Sequence, residues 1–182
     1  TGNTTQTFSG SLTGNGGLAK SGAGTLTLTG ASNYSGGTQL LAGRINVGSS
    51  TALGTGALDM ADGTTLGFAA NHLNLANDIV LSGVGDPVVD TGSFDATLSG
   101  AISGTGFLTK EGSGTLTLSG TNNYGGPTTV SAGTLRAGAT NTFSALSNVA
   151  VAAGATLDTA GLSQNIGALT NSGKVSLVGG SR

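Results

Sequence analysis

The chain has no cysteine, no tryptophan, two prolines, one histidine and only 8% charged residues among 182. Without cysteine it forms no disulfide. That absence suits two histories. One is an ordinary domain that lacks the residue; the other is a chain threaded unfolded through the periplasm and an outer-membrane pore, where disulfides would jam the passage. The six cations Lys20, Arg44, Lys110, Arg136, Lys174 and Arg182 are scattered, and the net charge is −2. Nucleic-acid binding needs clustered Lys or Arg, so DNA and RNA are not expected as partners. The apolar run at Val149–Ala153 is too short to span a bilayer. No signal peptide or lipidation motif occurs, so an exported protein of this sequence would be an internal fragment without its targeting and anchoring segments. No stretch of a dozen residues carries a helical stripe.

Glycine is what the chain has in excess, 35 residues of it. The absence of a Gly-X-Y period excludes collagen. Low charge and low complexity are also features of disordered chains. Against disorder, the 36% apolar residues are spread evenly in short alternating runs that can bury a continuous core. "TLTLT" at Thr25–Thr29 puts Leu26 and Leu28 on one face and threonines on the other, the period of a half-buried strand. Similar runs are Phe8–Leu12, Thr38–Leu41, Arg44–Val47, Ala57–Met60, Thr64–Phe68, Asp78–Leu81 and Asp95–Ile102. They continue at Thr115–Ser119, Thr128–Ser131, Thr134–Ala137, Val149–Ala152, Ala155–Thr159 and Lys174–Val178. Gly, Asn, Ser or Asp bounds each run and supplies its turns. The chain is all-β.

Residues 8–48 return at 98–138, ninety positions later and without a gap, with about half of the paired positions identical. Glycines 14, 16, 22, 24, 30, 36 and 43 recur, as do Leu18, Lys20, Leu26, Leu28, Asn33 and Tyr34, matched by Leu108, Lys110, Leu116, Leu118, Asn123 and Tyr124. Turn residues and inward aliphatics are kept while the polar positions between them drift. An ungapped repeat of such short strands favours a solenoid over a sandwich or barrel. With on the order of 20–25 residues per rung, ninety residues make about four rungs and the single domain 1–182 about eight. At roughly 4.8 Å per rung the rod is about 35–40 Å long. Leu26, Leu28, Leu116 and Leu118 are expected in its core.

Gly14–Gly48 and Gly104–Gly138 resemble the passenger-associated transport repeat of bacterial autotransporters. Its pattern runs G-x-G-x-L-x-K-x-G-x-G-T-L-x-L-x-G, then N-x-Y or N-Y, then G-G-T and A-G-T-L. Both copies match it, except that Arg44 stands where the family has threonine and Pro127 replaces a glycine in the second copy. The repeats cover a little under half of the chain. The resemblance implies a right-handed parallel β-helix, exported by the type V route to the cell surface of a Gram-negative bacterium or secreted, whose rungs help the passenger fold as it leaves the outer membrane. It also implies one partner, the C-terminal outer-membrane barrel of the full-length parent.

Catalytic readings find little support in the residues. "GNGGLAKS" at Gly14–Ser21 is a near miss to a phosphate-binding loop, but Ala19 replaces its last glycine and a strand follows where the loop needs a helix. His72, the only candidate base, sits in "ANHLNLAND" with no nucleophile elbow in the chain. Asp86, Asp90 and Asp95 form one acidic group and Asp59 and Asp62 another. Pro87 interrupts the first, and calcium-binding nonapeptides would have to recur in tandem. The outward rows Thr25, Thr27, Thr29 and Thr115, Thr117, Ser119 would form an ice-binding plane only on adjacent rungs. Solvated turns and ordinary strand threonines account for all of these. No catalytic, cofactor-binding or metal-binding residue is assigned.

The sequence therefore reads as a structural and biogenesis segment of a passenger stalk and not an enzyme. One alternative is an adhesin segment that binds host or bacterial surfaces through a long face. The other is a β-helical polysaccharide-degrading enzyme, which would gather acids and bases in a cleft.

Overall fold

A computed structural model describes residues 4–83 and 85–178. The described residues contain twenty strands of three or four residues and no helix. Three parallel sheets form the sides of a solenoid of about eight turns. The first sheet stacks β1 (Gln6–Phe8), β3 (Thr25–Leu28), β5 (Arg44–Val47), β7 (Thr65–Phe68), β10 (Val88–Asp90), β13 (Leu108–Glu111), β15 (Thr128–Val130), β17 (Val149–Val151) and β19 (Leu169–Asn171). The second stacks β2 (Leu18–Lys20), β4 (Thr38–Leu40), β6 (Leu58–Met60), β9 (Ile79–Leu81) and β12 (Ile102–Gly104). The third stacks β8 (Leu73–Leu75), β11 (Ala96–Leu98), β14 (Thr115–Leu118), β16 (Thr134–Ala137), β18 (Thr156–Asp158) and β20 (Lys174–Ser176).

Alternation inside each strand builds the core, because successive side chains point to opposite faces. In β14, Leu116 and Leu118 are buried while Thr115 and Thr117 are half-exposed. Parallel register then stacks inward residues into columns. Leu26, Ile45, Leu66, Val89, Lys110, Val130 and Val151 follow one another up the first sheet. Leu73, Ala96, Leu116, Leu135, Leu157 and Val175 do so up the third. Leu26 departs from expectation in being only partly buried. Its column neighbour in β1 is Gln6, and all of β1 is exposed.

The period of ninety is not a whole number of turns. Four steps up the first sheet lead from Leu26 to Lys110, and the last six residues round a corner to Leu116 on the third sheet. The second copy is therefore rotated by one side of the solenoid. β2 and β4 lie on the second sheet while their equivalents β13 and β15 lie on the first; β3 and β5 lie on the first while β14 and β16 lie on the third. Each copy crosses its remaining side without a strand, at residues 29–37 and 119–127. Backbone hydrogen bonds nonetheless continue there, as from Asn33 N to Leu12 O and from Asn123 N to Ile102 O, both 2.9 Å.

Several short strands carry too little alternation to show in the sequence, among them β2, β8, β10, β13 and β19. The expected single run at Asp95–Ile102 is two strands, because Gly100 turns the corner between the third and second sheets. That glycine lies so close to the previous rung that a Cβ would run into the Asn77 carbonyl.

Candidate functional site

Lys20 and Lys110 occupy inward positions in columns that are otherwise mostly apolar, and both are buried, Lys110 with 0% exposure. Leu18 and Lys20 alternate onto one face, as do Leu108 and Lys110. The Lys110 ammonium donates to the carbonyls of Glu111 at 2.6 Å, Gly112 at 2.8 Å and Ala132 at 3.2 Å. The Lys20 ammonium repeats this with Ser21 at 3.3 Å, Gly22 at 2.6 Å and Ala42 at 2.9 Å. In each case two carbonyls belong to the two residues that follow the lysine at the end of its strand, and the third belongs to the corner one rung later. Gly22 and Gly112 turn the first corner at φ +79°, and Gly43 and Gly133 turn the next at φ +72° and +63°. A Cβ on either of the latter pair would strike the carbonyls of the corner beneath. The K-x-G-x-G and A-G elements of the repeat thus encode a single object, a lysine in a cup of three carbonyls.

Burial pushes the Lys110 amine down to about 8, against the upward pull of Asp90, Asp95 and Glu111. The Lys20 amine is also lowered by burial. The tyrosines of the repeat are internal too. Tyr124 and Thr128 share a hydrogen bond of 2.7 Å, Thr128 meets Ser147 at 2.8 Å, and Tyr34 pairs with Thr38 at 2.5 Å. Burial raises the Tyr124 phenol to about 12 against the opposing effect of its bonds to Thr128 and Ser147. Asn122 spans two rungs at the adjoining irregular segment, accepting from Ile102 N at 2.7 Å and donating to Thr142 O. Sequence reasoning left the lysines among scattered cations. The signal was present in the parity of Lys20 with Leu18 and in its retention as Lys110.

The acids are not all the solvated turn residues the sequence suggested. Asp59 and Asp90 lie in β6 and β10, and most of the acids bond backbone or side-chain groups. Asp62 accepts from Gly85 N at 2.7 Å, Asp95 from Thr115 N at 2.7 Å and Asp90 from Gly92 N at 2.8 Å. Asp59 bonds the Ser82 hydroxyl, and Asp86 is exposed on the segment before β10. Among the described residues no group of three or more His, Asp or Glu could hold a metal ion. Asp90 also pairs with Arg44 two rungs away at 2.7 Å. Between them lies Gly67, whose missing side chain leaves the space the guanidinium uses. Burial raises the Asp90 carboxyl, but the Arg44 and Gly92 hydrogen bonds and the charges of Arg44 and Lys110 outweigh it, and the net shift is down.

His72 is exposed at the turn between β7 and β8, with φ +56°. Its backbone N–H donates to Asp95 O at 2.7 Å. With Asp95, Thr97, Thr115, Thr117 and Arg136 it lines a shallow groove of about 270 Å³ on the third sheet. The groove offers hydroxyls, an imidazole, a carboxylate and a guanidinium to a polar ligand. Among the described residues no hydrogen bond joins the His72 ring to Asp95 or to a hydroxyl, so no base is aligned with a nucleophile. The threonine rows Thr25–Thr27 and Thr115–Thr117 lie on different sides of the solenoid and share no plane. The loop-like Gly14–Ser21 leads into β2, with the Lys20 ammonium committed to its corner.

The passenger-associated-transport-repeat family matches residues 18–47 and 108–137, the two stretches that build the lysine cups. A curated relative, the BmaC adhesin autotransporter of Brucella suis biovar 1 (strain 1330), is 42% identical over 95 residues, which is 52% of this chain. The chain spans about 3% of that relative's length. No solved structure matches the chain. The chain thus carries the passenger-associated transport repeat twice on a parallel β-solenoid and is similar over about half of its length to an autotransporter adhesin.

Proposed function

We propose that this segment serves the folding and export of a passenger stalk and carries no catalytic activity of its own. The supporting observation is the rotation between the two copies. Their outward residues fall on different sides of the solenoid, so duplication builds no shared outer face. What the copies keep in common includes the inward features of the rungs: the stacked leucines, the lysine cup and the tyrosine bond. Selection on rung stacking accounts for that pattern, and each rung requires its neighbour to bury its core. The working partner is then the C-terminal outer-membrane barrel of the full-length parent, and the place of action is the cell surface or the medium outside it.

The experiment measures surface display of the full-length parent by protease accessibility. Polar replacement of the buried Leu108 and Leu116 slows display without removing an activity already displayed. His72→Ala and Asp86→Ala leave both unchanged. Normal display of the core variants, with loss of an activity in His72→Ala or Asp86→Ala, overturns the reading.

An adhesive role is the second reading, favoured by the relative's description as an adhesin and by the polar groove around Arg136. Saturable binding of the isolated segment to host or bacterial cells, weakened by Arg136→Ala, would favour it over a purely structural role.

A further inference from the structure

We infer that the corner cup of each transport repeat is a binding site for a primary ammonium, filled in the native chain by the repeat's own lysine, and that the filled cup latches two successive rungs together. A primary ammonium presents three N–H donors around one compact charge. The cup offers three converging carbonyls, and at Lys110 all three lie within 3.2 Å of the nitrogen. No carboxylate ion-pairs with either ammonium among the described residues, so backbone dipoles hold the charge. The planar guanidinium of arginine projects its five donors in a fixed fork, which does not suit one point of convergence.

The latch follows from which rungs supply the oxygens. Lys20 reaches Ala42 O and Lys110 reaches Ala132 O, each in the corner one rung further along the chain. The cup is complete only when both rungs are in place. The same arrangement forms at the corner between the second and first sheets and at the corner between the first and third. It belongs to the repeat, not to one edge of the solenoid. The inference concerns the folded chain itself and is independent of the role in export.

The test is to empty the cup and refill it. Lys110→Ala removes the side chain from Cγ to Nζ, and n-propylammonium restores those four heavy atoms. At pH 6.5, n-propylammonium chloride should raise the thermal midpoint of Lys110→Ala in a saturable way. It should also slow amide exchange at Ser131 and Thr134, on the rung that supplies Ala132, by at least about tenfold. Tetramethylammonium, which has no N–H, and sodium chloride at equal concentration should do neither, and the native chain should show no such response. Equal responses to the three salts would overturn the assignment. If Lys110→Ala does not fold, acetylation of the native chain decides. Lys20 and Lys110 should react at least about tenfold more slowly than the exposed Lys174, with the difference lost in urea. Equal reactivity in the folded chain refutes the site.

Discussion

Leu26→Ala and Leu116→Ala make the same chemical change at equivalent positions of the two repeats, and the structure assigns them different costs. Leu116 is fully buried, with Ala96 below it and Leu135 above it in the same column. Removing three carbons forfeits about 2.4 kcal/mol of transfer free energy at ~0.8 kcal/mol per methylene. The cavity adds to this, because parallel ladders hold the neighbouring rungs apart and little collapse is open to them. The total comes to about 3–5 kcal/mol. Leu26 is only partly buried, with Gln6 on one side and Ile45 on the other. About two thirds or more of the transfer term is at stake there but little cavity, so the cost is about 1.5–2 kcal/mol. Urea unfolding followed by circular dichroism measures both, and hydrogen exchange shows whether Leu26→Ala loosens only the first rungs. Equal costs, or a Leu116→Ala loss below about 1.5 kcal/mol, would refute the burial argument.

Gly133→Ala should cost at least about 2 kcal/mol, since the left-handed backbone penalty combines with a collision against the Gly112 and Gly114 carbonyls. Gly154→Ala, at φ +82° with nothing within 4 Å, should cost only the ~1–2 kcal/mol backbone penalty; thermal denaturation compares the two. Alkaline stability should pass through a maximum. The folded chain releases the Lys110 proton near pH 8, against 10.5 for an ordinary lysine, so the unfolded state binds more protons in that interval. Stability then rises by up to about 3 kcal/mol between roughly pH 8 and 10.4. Above about pH 10 the sign reverses, because the folded chain keeps the Tyr124 proton to about 12. Urea midpoints at pH 7, 9.5 and 11.5 check both limbs, and Lys110→Met should abolish the first. Asp90→Asn should lose about 1 kcal/mol, with the loss shrinking in high salt as expected of a partly exposed ion pair; its two-rung partner Arg44 makes hydrogen exchange in β7 the most direct readout.

Fold class, strand period and turn count were legible because each follows from local alternation and glycine punctuation, and the strand Thr115–Leu118 lies within the run read from its leucines. Sheet membership was not legible. Rungs vary in length, from eighteen residues between Leu157 and Val175 to twenty-three between Leu66 and Val89. That variation accumulates through the chain, so position modulo a fixed period does not identify a side. Asp62, Asp86, Asp95 and His72 lie outside strands as their turn-like surroundings suggest, but Asp59 and Asp90 sit within β6 and β10. The bonds of Asp62 and Asp95 to Gly85 and Thr115 one rung later are not local and so were not legible. The lysines were harder. Charge argues for the surface, and only their parity with Leu18 and Leu108 argues against it.

The rotation of the second copy adds a constraint that neither sequence similarity nor a single rung contains. If the repeat were tied to one edge of the solenoid, its spacing would be a whole number of turns, and Lys110 would stand above Lys20 on the second sheet. It stands on the first. A corner needs only a strand, a G-x-G turn with inward carbonyls, and a second turn one rung later to supply the third oxygen. Two of the solenoid's corners, between the second and first sheets and between the first and third, meet those conditions. The repeat is therefore compatible with at least these two corners without remodelling the outer faces, and those faces remain free to diverge. A sheet such as the third, with Thr97, Thr117 and Arg136 in adjacent register, can then change its surface chemistry independently of the stacking that holds it.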